Sequence, residues 1–249
     1  MSVIYQPQPQ HDVQVSCVAC APVYRRGRYG ELTNAIGGQP VKEILTQFAP
    51  CLPAKFAQFD HRKRGDAVSW DLYGCDPVQN VAVIQIRHAW RRRATHFLSV
   101  HKTYVLVGFN EITNAPFRHP VSASAVRAAV RRAADPVGVV RAAQCWMWGV
   151  TPNLLERSTR QGDVLLVPER SAPRGEAVEC GSRTTVGGTH EIRAVRIVQA
   201  GERIYALNPR VVHLRDQHEP IGATDHDGWY SIRVAAEGRS WAFSDRLGD

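Results

Sequence analysis

The segment RVVHLRDQHEPI, residues 210–221, holds two histidines five positions apart, with acidic residues between and after them. Histidine changes its charge near neutral pH, so one member of the pair could accept a proton while the other gives one. Neutral imidazoles are also good ligands for zinc or iron. His213 and His218 are therefore the first candidates for a chemical site in this chain.

A third histidine, His190 in VGGTHEIRA, would join them if the strands that carry all three close into a barrel. As a metal site, His190, His213 and His218 would hold zinc or iron with an acidic side chain as the fourth ligand. As a metal-free site, the same histidines would cleave RNA by acid–base catalysis. The candidate helpers in that reaction are one hydroxyl and two cations: Tyr230, Arg215 and Arg233. The third interpretation is that the histidines are ordinary strand-end residues, bonded to water or to neighbouring carboxylates.

The whole chain is basic, with a formal net charge of +8 and a pI near 9.5. Of its 31 basic residues only four are lysines, an arginine bias that a GC-rich genome also produces. Arginine forks bind phosphate oxygens well, so the predicted partner is nucleic acid, with RNA as the expected class. The candidate nucleic-acid-binding residues are Arg91, Arg92 and Arg93 beside two aromatics, Arg127 and Arg131 on one predicted helix face, and Arg215.

Two further parts of the chain precede the histidines. Residues 1–118 predict a mixed α+β domain, in which PVKEILTQFA has the apolar spacing of a helix. NVAVIQIRHAW and HKTYVLVGFNE are rich in β-branched residues and predict buried strands, with the basic segment RRRATHFLSVH between them. Residues 119–158 predict a helical connector, because three short stretches there each begin with a capping residue, namely Ser122, Asp135 and Thr151.

Residues 159–249 predict a β-rich domain, since short apolar runs alternate with turn residues about every ten positions. Such a pattern favours a small barrel or sandwich. From RQGDVLLVPER through GGTHEIRA and VVHLRDQHEPI to GWYSIRVA, this part resembles an uncharacterised family of small bacterial and phage β-domain proteins. The resemblance implies a compact β-domain. The chain departs from the family at His190, a single histidine where members often have two.

The predicted fold class is therefore α+β: a mixed N-terminal domain, a short helical connector and a β-rich C-terminal barrel or sandwich. The predicted function is nucleic-acid binding, with RNA processing by the C-terminal histidines. The alternatives are a metal-dependent, cupin-like enzyme on a small anionic substrate, or a non-catalytic subunit of a bacterial or phage assembly.

We expect a cytoplasmic protein, because no apolar run is long enough for a membrane span and the six cysteines are typical of reduced thiols. The motifs GxGxxG, GxxxxGK[ST] and GxSxG do not occur, which argues against dinucleotide-binding, P-loop and α/β-hydrolase enzymes.

Overall fold

The computed structural model describes residues 14–17, 35–36, 39–52, 67–91, 98–110, 114–132, 135–214, 221–222 and 227–236. It divides into two compact units, one reaching Ala143 and the other covering Gln144–Ala236. Both units contain helices and sheets of mainly antiparallel strands, which confirms the predicted α+β class and its excess of strand. Among the described residues, no helix is both long enough and apolar enough to cross a membrane.

In the described part of the first unit, a five-stranded sheet and a two-stranded ribbon are accompanied by three helices, of which α3 crosses the division between the units. The elements are β1 (Gln14–Cys17), β2 (Ala35–Ile36), β3 (Gln39–Pro40), α1 (Val41–Gln47), a 3₁₀ turn (Ala49–Cys51), β4 (Ala67–Asp76), β5 (Val81–Arg91), β6 (Leu98–Phe109), β7 (Pro116–Val121), α2 (Ala123–Arg132) and α3 (Pro136–Trp148).

The larger sheet has the order β1-β4-β5-β6-β7, in which β4 to β7 are consecutive antiparallel neighbours and β1 runs parallel to β4. The two strands predicted from the β-branched runs are β5 and β6, and both are confirmed. Strand β4 is not predicted by the pattern of its sequence. Its register shifts between Leu72 and Gly74, and such a bulge breaks the alternation by which a strand is recognised in sequence.

The sheet of the first unit is packed on both faces. On one face, Ile44, Leu45 and Phe48 of α1 form a buried cluster with residues of β4, β5 and β6, as the helical spacing of PVKEILTQFA predicts. On the other face α3 approaches β4 so closely that a Cβ atom at Gly74 would lie 2.6 Å from the carbonyl oxygen of Pro136. Because both faces are covered, β5 is buried along the whole of Val81–Ile86.

The three helices between residues 119 and 158 begin with the caps that the sequence predicts. The side chains of Ser122, Asp135 and Thr151 each accept a hydrogen bond from a backbone amide three residues later, at 3.4, 2.7 and 3.4 Å. These bonds satisfy amides that have no partner within the first helical turn. The division into compact units falls inside α3, and the predicted boundaries at residues 118 and 158 stay predictions.

The second unit contains the end of α3, one short helix and a sheet of eight strands in its described residues. The elements are α4 (Pro152–Glu156), β8 (Thr159–Gln161), β9 (Val164–Glu169), β10 (Val178–Val186), β11 (His190–Ala200), β12 (Arg203–Leu207), β13 (Arg210–His213), β14 (Ile221–Gly222) and β15 (Trp229–Val234). The strand path is β14-β13-β11-β12-β15-β9-β8, with β10 added beside β11. The β-rich C-terminal part is therefore confirmed.

Strand β11 organises this sheet because it pairs with three other strands. One edge of β11 pairs with β10, while the other edge pairs with β13 along residues 190–193 and with β12 along residues 196–200. Ile192 and Ile197 lie in the buried cluster with side chains of β9, β12, β13 and β15. We call the face that carries this cluster the inner face, and the opposite face of β10, β11 and β13 the outer face.

Candidate functional site

The structure brings two of the predicted histidines together. His190 is the first residue of β11 and His213 is the last residue of β13, and the two are register partners. Paired residues on neighbouring strands point to the same face, so the two rings meet on the inner face. Their centroids are 4.8 Å apart with an interplanar angle of 79°, which is an edge-to-face contact. His190 is 0% exposed and His213 is 6% exposed.

A carboxylate that the sequence analysis did not single out contacts this pair. Asp163 lies in the turn between β8 and β9, and its Oδ1 atom is 3.3 Å from Nδ1 of His190. The hydroxyl oxygen of Thr189 is 3.0 Å from the same ring nitrogen. All three side chains are buried. We call Asp163, Thr189, His190 and His213 the histidine cluster.

The backbone of the histidine cluster ties several elements together at one end of the second unit. The carbonyl oxygen of Asp163 accepts hydrogen bonds from the indole Nε1 of Trp148 at 3.0 Å and from the backbone amide of Ala235 at 2.8 Å. The carbonyl oxygen of Thr189 accepts one from the amide of Leu214 at 2.8 Å. The end of α3, two turns and the ends of β13 and β15 therefore meet at this cluster.

The chemistry open to the histidine cluster is limited by its burial. An aspartate that contacts one imidazole nitrogen can orient the ring as a proton acceptor. A general base must come within hydrogen-bond distance, about 3 Å between heavy atoms, of the group that it deprotonates. The Nε2 atoms of both rings are buried, however. In the residues that the structure describes, no group of three or more histidine, cysteine or acidic side chains is arranged to hold a metal ion. The catalytic and metal roles of His190 and His213 stay predictions.

The structure describes only some of the other residues predicted for this site. His218 and Arg215 lie outside the described residues. Tyr230 is buried in the core on β15, in register with Ala206 and Pro168. Four residues of strand, about 13 Å, separate Tyr230 from Val234, the end of β15 that pairs with Val164 next to Asp163.

The predicted nucleic-acid-binding arginines fall into two groups. Arg92 and Arg93 lie outside the described residues, and Arg91 is placed only by its backbone, as the last residue of β5. Arg127 and Arg131 are exposed on α2, where their spacing of four residues puts them on one face. The Nε atom of Arg127 donates a hydrogen bond to the carbonyl oxygen of Ala123 at 3.1 Å.

A row of three arginines crosses the outer face, and the sequence analysis did not predict it. Arg183 on β10 pairs with Arg193 on β11, and Arg193 pairs on its other side with Arg210 on β13. All three are exposed. Neighbouring strands lie about 4.8 Å apart, so this arginine row spans about 10 Å. The spacing of arginines in HEIRAVRIVQ hints at an exposed strand face, but only the pairing of β10, β11 and β13 aligns the three cations.

Little negative charge accompanies the arginine row. The carboxylate of Glu191 pairs with the Nε atom of Arg193. The Arg193 side chain still keeps 49% of its surface exposed. Like charges directly opposite each other on neighbouring strands destabilise a sheet by a few tenths of a kcal/mol or more. Three aligned guanidinium groups therefore create a strongly positive surface that a polyanion would neutralise.

The chain matches no protein-family model, no curated protein and no solved structure. The resemblance of its C-terminal part to a bacterial and phage family stays a prediction.

Proposed function

We propose that the protein binds single-stranded nucleic acid through the outer face of β10, β11 and β13. The observation that supports this proposal most directly is the arginine row, in which Arg183, Arg193 and Arg210 lie in register on adjacent strands. Each guanidinium presents a planar fork of donors that matches the oxygens of a phosphate. A flexible single strand can bend to bring successive phosphates onto a row about 10 Å long.

The surroundings of the row suit a nucleic acid chain. Val195 is two residues beyond Arg193 on β11 and is 69% exposed, and it offers apolar surface to a sugar or base. The net charge of +8 adds a long-range attraction for any polyanion. Cys51 and Cys180 form no disulfide among the described residues, and we propose that binding occurs in the cytoplasm, where thiols stay reduced.

RNA processing by the histidines is not part of this proposal. The histidine cluster lies on the inner face, whereas Arg183, Arg193 and Arg210 point to the outer face because side chains alternate along a strand. A strand bound to the row would therefore be separated from the buried rings by the sheet itself. The proposed activity is binding, and RNA and DNA are to be compared directly.

The test measures the binding of short fluorescent single strands of RNA and DNA by anisotropy at increasing salt. Each arginine that neutralises a phosphate contributes about 0.7 to the slope of log K against log salt. The triple variant Arg183→Gln, Arg193→Gln and Arg210→Gln should therefore lose about 2 units of slope. RNA binding that is tighter than DNA binding would identify the natural class of ligand.

A matched control removes the same charge elsewhere. The variant Arg127→Gln, Arg131→Gln and Arg132→Gln takes three exposed arginines from α2 and should keep most of the salt slope. Equal losses in both triple variants would show that net charge alone attracts the strand, and the arginine row would not be the binding surface. Absence of binding by the unaltered protein at low salt would refute the proposal as a whole.

A further inference from the structure

A second group of arginines lies on one face of β8, β9, β15 and β12. Arg160 on β8 pairs with Leu165 on β9, and Leu165 pairs with Arg233 on β15. Ile232 on β15 pairs with Ile204 on the antiparallel strand β12. The residue after Ile232 is Arg233 and the residue before Ile204 is Arg203, so these two arginines lie side by side. Three cations therefore lie in line across four strands, and Leu165 is buried between the first two.

Two hydroxyl groups lie on the same face, one residue pair further along. Ser231 is directly opposite Tyr205, and each is two residues from an arginine of the line, so their side chains point to the arginine face. Ser231 is 0% exposed. Among the described residues, neither its Oγ atom nor the buried Nε atom of Arg233 has a hydrogen-bond partner.

The Oγ atom of Ser231 and the Nε atom of Arg233 both need a hydrogen-bond partner. Buried polar groups in folded proteins are nearly always hydrogen-bonded, and a guanidinium Nε can only donate. A hydroxyl can donate as well, so a single acceptor between Ser231 and Arg233 would satisfy both groups. An acceptor at this place would also lie close to the positive charge of Arg203.

The electrostatic balance at this place favours an anion. Burial lowers the pKa of Arg233, and the positive charge of Arg203 lowers it further. Tyr205 and Glu169 act in the opposite direction. Two guanidinium groups opposite each other destabilise the sheet, and Glu169 supplies only one negative charge against two positive ones.

We propose that Arg203, Arg233, Ser231 and Tyr205 form a binding site for a phosphate monoester group. The two guanidinium forks would hold the phosphate oxygens from one side, and the two hydroxyls would donate to them from the other. The group could belong to a small molecule such as a nucleotide or to the phosphorylated end of a nucleic acid strand. This site lies on different strands from Arg183 and Arg210, so it does not depend on the function proposed above.

The first experiment titrates the intact protein with inorganic phosphate by calorimetry, against chloride at equal ionic strength. We expect one phosphate per chain and a loss of affinity of about tenfold in both Arg203→Gln and Ser231→Ala. Arg174→Gln, which changes an exposed arginine outside both arginine groups, should leave the phosphate affinity unaltered. Equal binding of phosphate and chloride by the unaltered protein, or full affinity in Arg203→Gln, would overturn the proposal.

Thermal stability without phosphate distinguishes a binding site from a structural one. Ser231→Ala removes a buried hydroxyl that has no partner, and Arg203→Gln removes a like-charge neighbour, so both variants should melt at the same temperature as the unaltered protein or higher. A site that merely supports the fold predicts lower melting temperatures in both, and that result would refute the proposal.

The source of the phosphate is then decided by two further probes. AMP tests a small-molecule phosphate, and short RNA with or without a 5′-phosphate tests the end of a strand. Binding of AMP, or tighter binding of RNA that carries a 5′-phosphate, supports the site if Arg203→Gln abolishes that binding or that difference. A preference that survives in Arg203→Gln would place phosphate recognition elsewhere on the chain.

Discussion

Replacement of Asp163 by alanine is the sharpest test of the histidine cluster. The substitution removes the carboxylate that lies 3.3 Å from Nδ1 of His190, while the bonds to the Asp163 carbonyl oxygen from Trp148 and Ala235 remain possible. His190 would keep only the hydroxyl of Thr189 near that nitrogen among the contacts described above. The variant therefore isolates the contribution of one buried side chain.

The expected loss of stability follows from burial. The contact between the Asp163 carboxylate and the His190 ring is of the charged kind that contributes about 1.5–3 kcal/mol in a folded protein. If the ring of His190 is protonated, removal of its buried partner costs about 3–5 kcal/mol instead. We therefore expect Asp163→Ala to lower the free energy of unfolding by at least about 1.5 kcal/mol.

Urea unfolding followed by tryptophan fluorescence measures this change, with an unaltered m-value as the sign that the folded state is preserved. Glu191→Ala is the matched control, because its carboxylate pairs with the half-exposed Arg193 and should contribute less than about 1 kcal/mol. A double-mutant cycle of Asp163→Ala with His190→Ala should give a coupling energy of about 1–3 kcal/mol.

An unchanged or raised stability of Asp163→Ala would refute this reasoning. It would mean that burial of the carboxylate costs more than its contact with His190 returns, as happens for some buried ion pairs. A coupling energy near zero in the double-mutant cycle would show in turn that the two side chains do not stabilise each other.

Two further predictions concern the first unit. Burial raises the pKa of the Cys51 thiol from 9.0 to about 12. Between pH 9 and pH 12 the unfolded chain therefore loses a proton that the folded chain keeps. The free energy of unfolding should fall as the pH rises through this range. Alkylation near pH 9 followed by peptide mass spectrometry should modify the exposed Cys180 and spare Cys51 until denaturant is added; equal labelling would contradict the burial. Gly74→Ala should lower stability by about 1–3 kcal/mol in urea unfolding, because its Cβ atom would lie 2.6 Å from a backbone oxygen, and an unchanged midpoint would show that α3 can move away.

Local structure could largely be predicted from the sequence. The caps at Ser122, Asp135 and Thr151 act on amides only three residues away, so the signal and its effect lie in the same short stretch. The strands β5 and β6 were equally clear, because both are rich in β-branched residues and are buried on both faces along residues 81–86 and 103–108. Where a bulge interrupts the alternation, as at Gly74 in β4, the same reasoning found no strand.

The candidate sites were predictable only in part. His190 and His213 are 23 positions apart, so their spacing could nominate them but could not show that their rings touch on a buried face. Asp163 belongs to the RQGDVLLVP motif, where a charged residue directly before a buried strand was the one available signal. Its contact with His190 depends on how the turn between β8 and β9 approaches the start of β11.

The sequence by itself determined the composition, the helices and their caps, several of the buried strands and the presence of many arginines. Tertiary structure alone decided which arginines form a line, because that depends on the register of β10, β11 and β13. A shift of one residue would turn Arg193 to the inner face and His190 to the outer one. That register follows from burial of Ile192 and Ile197 against strands distant in the chain, a long-range constraint that no local pattern contains.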